Sequence, residues 1–138
     1  MKDFDEFHDG SFEGLWIDGK TVHVFLATDE HEQFVFVAGV VAEVMVDGVK
    51  SGSVIFEVLV RNADEVVTED IKTLYQLRDG TAGESRAVSL LEKARLLGWK
   101  FLEINPSYGA ACLVLSSSIE LLRREDWLSQ RQPIRLPA

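Results

Sequence analysis

The chain has 138 residues, 46% of them hydrophobic and 27% charged, with a net charge of −9. That length suits one domain, expected to span residues 1–138 around a single core. The acidic balance sets the chain against phosphate backbones and so against nucleic-acid binding. No apolar run approaches the roughly 18 residues that mark a membrane-crossing helix, and the acidic start MKDFDEF is unlike a basic, then apolar, secretory leader. A cytoplasmic protein without membrane contact is the expectation, and the single Cys112 rules out an internal disulfide.

The first half of the chain reads as strands. FEGLWI (12–17) and TVHVFLA (21–27) are short and rich in aromatic and β-branched residues. The DGK between them predicts a hairpin whose turn needs positive φ at both central positions. EQFVFVAGVVAEVMV (32–46) is long for one strand, and a bulge or turn at Gly39 is expected to divide it in two. A second Asp-Gly, Asp47-Gly48, leads through VKSG into SVIFEVLVR (53–61), the last of four or five antiparallel strands.

The period then changes from two to between three and four. In TEDIKTLYQLRD (68–79), Ile71, Leu74, Tyr75 and Arg78 share a helical face, with Thr68 as the N-cap and Glu69 and Asp70 favouring the positive end of the helix dipole. DGTAG interrupts. ESRAVSLLEKARLLG (84–98) carries an apolar stripe of Ala87, Leu90, Leu91, Ala94 and Leu97, closed by Gly98. Leu90, Leu91, Ala94 and Leu97 are expected to pack on the sheet near Val24, Phe36, Val58 and Leu113.

Strands return with WKFLEI (99–104) and AACLVLSS (110–117), joined by a turn NPSYG in which Pro106 marks a turn or an edge. SIELLRRED (118–126) suits a strand or a short helix. The tail from 126 to 138 is expected to be partly irregular and pinned by Trp127. The fold class is therefore α+β: a mainly antiparallel sheet of about six to eight strands, with two helices inserted between the N-terminal and C-terminal strands.

Few residues carry chemistry. His8-Asp9 is a pair that binds metals and moves protons, but adjacent side chains of an extended chain diverge. The pair converges only if the backbone turns sharply at Gly10. The plainer reading has Asp9-Gly10 forming a turn, with His8 hydrogen-bonding nearby. His23 and His31 complete the histidine count, and with the arms of their hairpin pairing across 27–30, position 23 faces roughly 34 and not 31. No metal site is expected, and no cofactor, since neither a phosphate-binding nor a dinucleotide-binding fingerprint occurs. Cys112 lies in an apolar strand and reads as packing. Ser116–Ser118 lack the strand-to-helix elbow of a nucleophilic serine.

One polar group stands out. Phe101, Glu103 and Asn105 alternate onto one strand face, with Tyr108 just beyond. A carboxylate, an amide and a phenol together suit a small polar ligand or acid–base work, while Asn105 and Ser107 equally suit a turn. His8, Asp9, Glu103, Asn105 and Tyr108 are the candidate ligand-binding residues, and none is assigned a catalytic role.

Residues 1–32 hold nine acids against Lys2 and Lys20, a local charge of −7. Such a stretch either serves as a solvated face or attracts a basic partner. The segments FHDGSFEGLWIDGKTVHVFL and FLEINPSYGAACLVLSSSIELL, with the strand-first order, resemble small uncharacterised bacterial α+β domains, some of immunity-protein type, which neutralise toxins by binding them. The resemblance implies a non-enzymatic binding or accessory role, with a basic protein as partner. The alternative is a small-molecule-binding domain or minor enzyme with a polar site near His8, Asp9, Glu103 and Tyr108.

Overall fold

Period-two alternation over long β-branched runs yields strands that hide one face and show the other. The computed structural model describes residues 1–130. Among them are seven strands: β1 (Lys2–Asp3), β2 (Ser11–Asp18), β3 (Thr21–Ala27), β4 (Gln33–Asp47), β5 (Val54–Asn62), β6 (Lys100–Tyr108) and β7 (Ala111–Arg123). Helices α1 (Thr68–Tyr75) and α2 (Thr81–Leu96) lie between β5 and β6, and α3 (Arg124–Ser129) follows β7. Every pairing is antiparallel. The chain is thus an α+β protein with two helices inserted between the N-terminal and C-terminal strands. No helix among the described residues is long and apolar enough to cross a membrane.

The sheet closes on itself. Neighbours run β5-β2-β3-β4-β7-β6, and β6 pairs back onto β5. The β2–β5 seam is the thin point, with only Ser11 opposite Val54. The N-terminal segment seals the rest of it. β1 pairs with β5 at Lys2↔Val60 and Asp3↔Leu59. The Phe4 and Asp9 amides then donate to the Val58 and Ile55 carbonyls, each at 3.0 Å, and the Ile55 amide donates to Gly10 at 2.9 Å. Gly10 has no room for a side chain, because a Cβ there would meet the Ala27 carbonyl oxygen at 2.2 Å.

Closure creates two cores. Inside the ring pack Phe4, Phe7, Val24, Leu26, Phe36, Val58, Leu102 and Val114, with their neighbours. Outside it, α1 and α2 cover Phe101, Leu113 and Leu115 with Ile71, Leu74, Ala87, Leu91 and Ala94. The single expected core is corrected accordingly. Leu91 and Ala94 do lie against Leu113, but Val24, Phe36 and Val58 sit on the far side of the strand wall. Leu97 is 54% exposed because α2 ends at Leu96 and the chain turns away.

Other boundaries shift for local reasons. β4 is one 15-residue strand, not two. β7 pairs along its length, from Phe34↔Arg123 to Asp47↔Ala111, and a bulge between Val41 and Glu43 absorbs the bend. Gly39 keeps φ out of the left-handed region and makes way for Ser118 Oγ, which lies 2.7 Å from where a Cβ would stand, while Val40 takes φ +50°. In the β2–β3 turn only Gly19 takes positive φ, the pattern of a turn with glycine first. α1 is capped at Val67, whose amide donates to Asp70 Oδ2 at 3.0 Å, so Thr68 is already helical; Arg78 lies beyond the helix end. α2 begins three residues before Glu84, with Gly83 pressed against the Arg78 carbonyl. NPSYG is mostly strand: Pro106 sits in β6 opposite Ile55 beside a bulge, where its missing N–H costs no ladder bond. SIELLRRED is strand and then helix, and the tail is helical to Ser129. Residues 131–138 of the expected irregular tail lie outside the described residues.

Candidate functional site

A break in the alternation of β5 builds the site. Ile55 and Val58 both point into the ring although they are three residues apart. Strict alternation cannot do that, and the pairing shows why. It passes from Ile55↔Pro106 directly to Glu57↔Asn105, leaving Phe56 as an extra residue in a bulge. Phe56 is thereby turned outward, 52% exposed. Its carbonyl accepts a hydrogen bond from His8 Nδ1–H at 2.7 Å, and its ring meets the imidazole edge-on at 5.7 Å.

His8-Asp9 forms the turn that the sequence suggests. A 3₁₀ turn over Asp5–Phe7 brings the chain in, and Asp9 takes φ +64°. The same turn swings the two side chains together, so that His8 Nε2 lies 3.7 Å from Asp9 Oδ1. The Phe56 carbonyl first, and then Asp9, raise the pKa of His8 above its ordinary value, with smaller help from Asp5 and Asp29. Asp3, Asp5, His8, Phe56 and Glu57 line an open groove of about 210 Å³. Partial desolvation first, then Asp5, Glu57 and Glu6, push the Asp3 carboxyl upward. The groove is therefore an acidic surface with one exposed aromatic ring in it.

Glu103 and Asn105 belong to a different arrangement that begins at the same Glu57. Asn105 Nδ2 donates to Glu57 Oε1 at 2.9 Å and to Glu103 Oε2 at 2.8 Å. Glu103 Oε1 accepts from Arg61 Nη2 at 2.8 Å, and Arg61 Nη1 reaches Asp70 Oδ2 on α1 at 3.1 Å. The chain ties α1 to the β5–β6 face, although the buried Arg61 Nε has no hydrogen-bond partner among the described residues. Both Glu103 oxygens are engaged, which leaves the carboxylate poorly placed to move a substrate proton. Tyr108 stands apart, 53% exposed, with the Lys50 ammonium 5.5 Å from its ring centre. The five candidates thus fall in three places, and Glu57 links the first two.

Asp3, Asp5, Phe56 and Glu57 carry the groove, and composition alone does not single them out. The one available signal was the three-residue spacing of Ile55 and Val58 within SVIFEVLVR, which marks a bulge.

The remaining chemistry-bearing residues are placed apart. His23 is buried on the outer face of β3, stacked on Trp16 at 4.6 Å, and accepts from Trp127 Nε1 at 3.1 Å. It faces Val37 and not position 34, because the β3–β4 loop is wider than expected, closing at Ala27↔Gln33. His31 lies in that loop with φ +68°. Among the described residues no group of three or more His, Cys, Asp or Glu side chains is placed to hold a metal ion. Cys112 is buried in the ring, and burial pushes its thiol up to about 12. Ser116 and Ser117 hydroxyls donate to the Ser118 and Gly39 carbonyls inside the β4–β7 ladder. Comparisons with protein-family models, curated proteins and solved structures found no match.

Proposed function

We propose that the protein is a non-enzymatic binding domain that takes a basic protein partner on the acidic groove around Phe56, in the manner of immunity proteins that neutralise a toxin by binding it. The observation that carries this reading is the outward Phe56 ring set among Asp3, Asp5 and Glu57. A bulge that spends a large apolar side chain on solvent has a use if a partner covers it. Carboxylates around an aromatic face suit a lysine or arginine, whose cation is attracted both to the charges and to the ring.

The acids are not equal in this role. Glu13 is held by Arg124 at 2.7 Å and Glu32 by Arg123 at 3.3 Å. Asp3, Asp5 and Glu6 have no such ion pair among the described residues, and their charge is free to act on an incoming partner. An enzymatic reading is less well supported, because Glu103 and Asn105 are occupied by one another and by Arg61.

The test is to recover binding partners from the source cell and measure their kinetics at two salt concentrations. Neutralising Asp3, Asp5 and Glu57 should slow association more than it speeds dissociation, since long-range charge acts on encounter. The effect should shrink with salt, as exposed charges are screened over about 8–10 Å near physiological ionic strength. Phe56→Ser should mainly speed dissociation. Wild-type kinetics for both variants against every recovered partner would sink the proposal.

A further inference from the structure

A second surface lies along the β3-facing side of β4, past the point where β3 ends. β3 accompanies β4 only as far as Val22↔Ala38, with one last bond from the Val41 amide to the Lys20 carbonyl at 2.8 Å. Among the described residues, the strand pairs from Glu43 to Asp47 with β7 alone. Val41 N–H points to the β3 side, and the bulge at 41–43 shifts the alternation by one residue. Val44 and Val46 therefore direct their backbone groups to the open edge. Val44 N–H is held by the carboxylate of its own neighbour, Glu43 Oε1, at 3.1 Å.

We propose that this edge, Val44–Val46, is a docking site for an extended, basic segment of a second protein, which adds to the sheet as a further strand. An exposed edge offers main-chain groups to any strand, and proteins guard such edges with lysine, proline or a covering element. This one carries VVAEVMV, a run of high strand propensity without lysine or proline. Beside it, Glu43, Val46, Leu74, Tyr75 and Gln76 line an open groove of about 290 Å³ between the edge and α1. That gives an added strand a flank to lie against. Glu43 and Tyr75 both line this groove, and burial first, then the Glu43 carboxylate, push the Tyr75 hydroxyl upward.

Charge selects the occupant. Antiparallel self-pairing that joined Val44 to Val46 of a second copy would set Glu43 against Asp47 across the strands, and directly opposed like charges disfavour it. A strand with lysine or arginine at alternate positions meets both acids favourably. The Glu43 side chain then releases the Val44 amide to the incoming backbone.

The site is independent of the groove around Phe56, and the experiment separates them. The probe is a synthetic peptide alternating lysine and valine, followed by amide resonances and hydrogen exchange. In the free protein the Val46 amide should exchange faster than that of Met45, which faces β7. Peptide should slow Val46 exchange at least about tenfold and shift Val44, Val46 and Leu74–Gln76. Glu43→Lys with Asp47→Lys should weaken binding about three- to tenfold, the scale of two exposed ion pairs. A peptide with N-methyl groups on alternate residues serves as the control and should not protect Val46. Shifts confined to Asp3, Asp5 and Phe56, unchanged Val46 exchange with peptide, or equal protection by the N-methylated peptide would each overturn the proposal.

Discussion

The space inside the ring and the layer under the helices are built on different terms. Inside, the wall of strands and the N-terminal segment with Phe4 and Phe7 supply the contacts, and large rings fill the volume. Phe36 meets Phe4 edge-on at 5.2 Å and Phe7 at 6.0 Å, and all three are buried. Outside, small residues let α2 approach the sheet, with Ala87 and Ala94 fully buried beneath it. Polar clamps complete that layer. Arg61 joins Glu103 to Asp70, and Arg95 donates to the Ala63 and Val66 carbonyls at 3.2 and 2.8 Å. A closed wall needs only apolar volume, whereas a helix laid on its outside also needs fixing at its ends.

Truncation separates the two most strongly. Phe36→Ala should cost about 3–5 kcal/mol, because the ring wall cannot collapse into the space left. Leu91→Ala, under α2, should cost about 2–3 kcal/mol, since a helix can settle inward. Leu97→Ala, on the exposed end, should stay within about 0.5 kcal/mol. Denaturant melts with unchanged slopes would check all three, and equal costs for Phe36 and Leu91 would erase the distinction.

The single core expected from the sequence fails for an identifiable reason. Alternation tells which face of a strand is apolar, and Val24, Phe36 and Val58 are buried as expected, but inside the ring and not under α2. It does not tell whether a sheet is open or closed. β7 is apolar on both faces, with Cys112 and Val114 inward and Leu113 and Leu115 under the helices. That double-sided run, ACLVL, is the mark of a strand with cover on both sides. The Phe56 groove was illegible for a related reason. A bulge shifts the face of each residue that follows, so regular spacing assigns Glu57 wrongly unless the break is noticed. The HDG turn was legible because its chemistry is local: a histidine, an aspartate able to take positive φ, and a glycine.

Arg61 sharpens the contrast from the polar side. Its side chain is 14% exposed and holds two carboxylates at 2.8 and 3.1 Å. Arg61→Ala should cost about 1–3 kcal/mol, as charged hydrogen bonds are lost and Glu103 and Asp70 are left to water or to each other's repulsion. Arg61→Lys should recover only part, because an ammonium cannot fork to both partners. Among the described residues the cluster inside the ring holds no charged side chain that could be compared.

Local opening gives a finer comparison. Cys112 is buried with its thiol at about 12, so it reacts only when the ring unfolds. A cysteine placed at Ala94, in a Cys112→Ser background, sits under α2. Labelling of Ala94→Cys should begin at lower denaturant than labelling of Cys112, because α2 detaches without breaking the wall. Coincident labelling would mean that wall and helices unfold as one unit.

The smallest effects lie at the N-terminal seam, where the ring meets the acidic groove. His8 is exposed, and its pKa stands above the ordinary 6.5, held up by the Phe56 carbonyl and then by Asp9. A folded pKa above the unfolded one means that the imidazolium stabilises the fold. That contribution is complete below about pH 6.5 and is lost as the pH rises through the folded value. Asp3 is raised as well, by partial desolvation and then Asp5, so the sign is the same in a lower window. Its ionisation opposes folding from about pH 4 upward, the reverse of a salt-bridged aspartate. His8→Gln should therefore lower the melting temperature slightly near pH 6 and hardly at all above pH 8. Asp3→Asn should raise it slightly at pH 7 and leave it unchanged near pH 3. Phe36→Ala should show no such pH dependence, because no charge changes inside the ring. Melting curves of the three variants across that range give the comparison directly. A flat difference for His8→Gln would show that the seam closes on backbone bonds and the Phe4 and Phe7 rings alone.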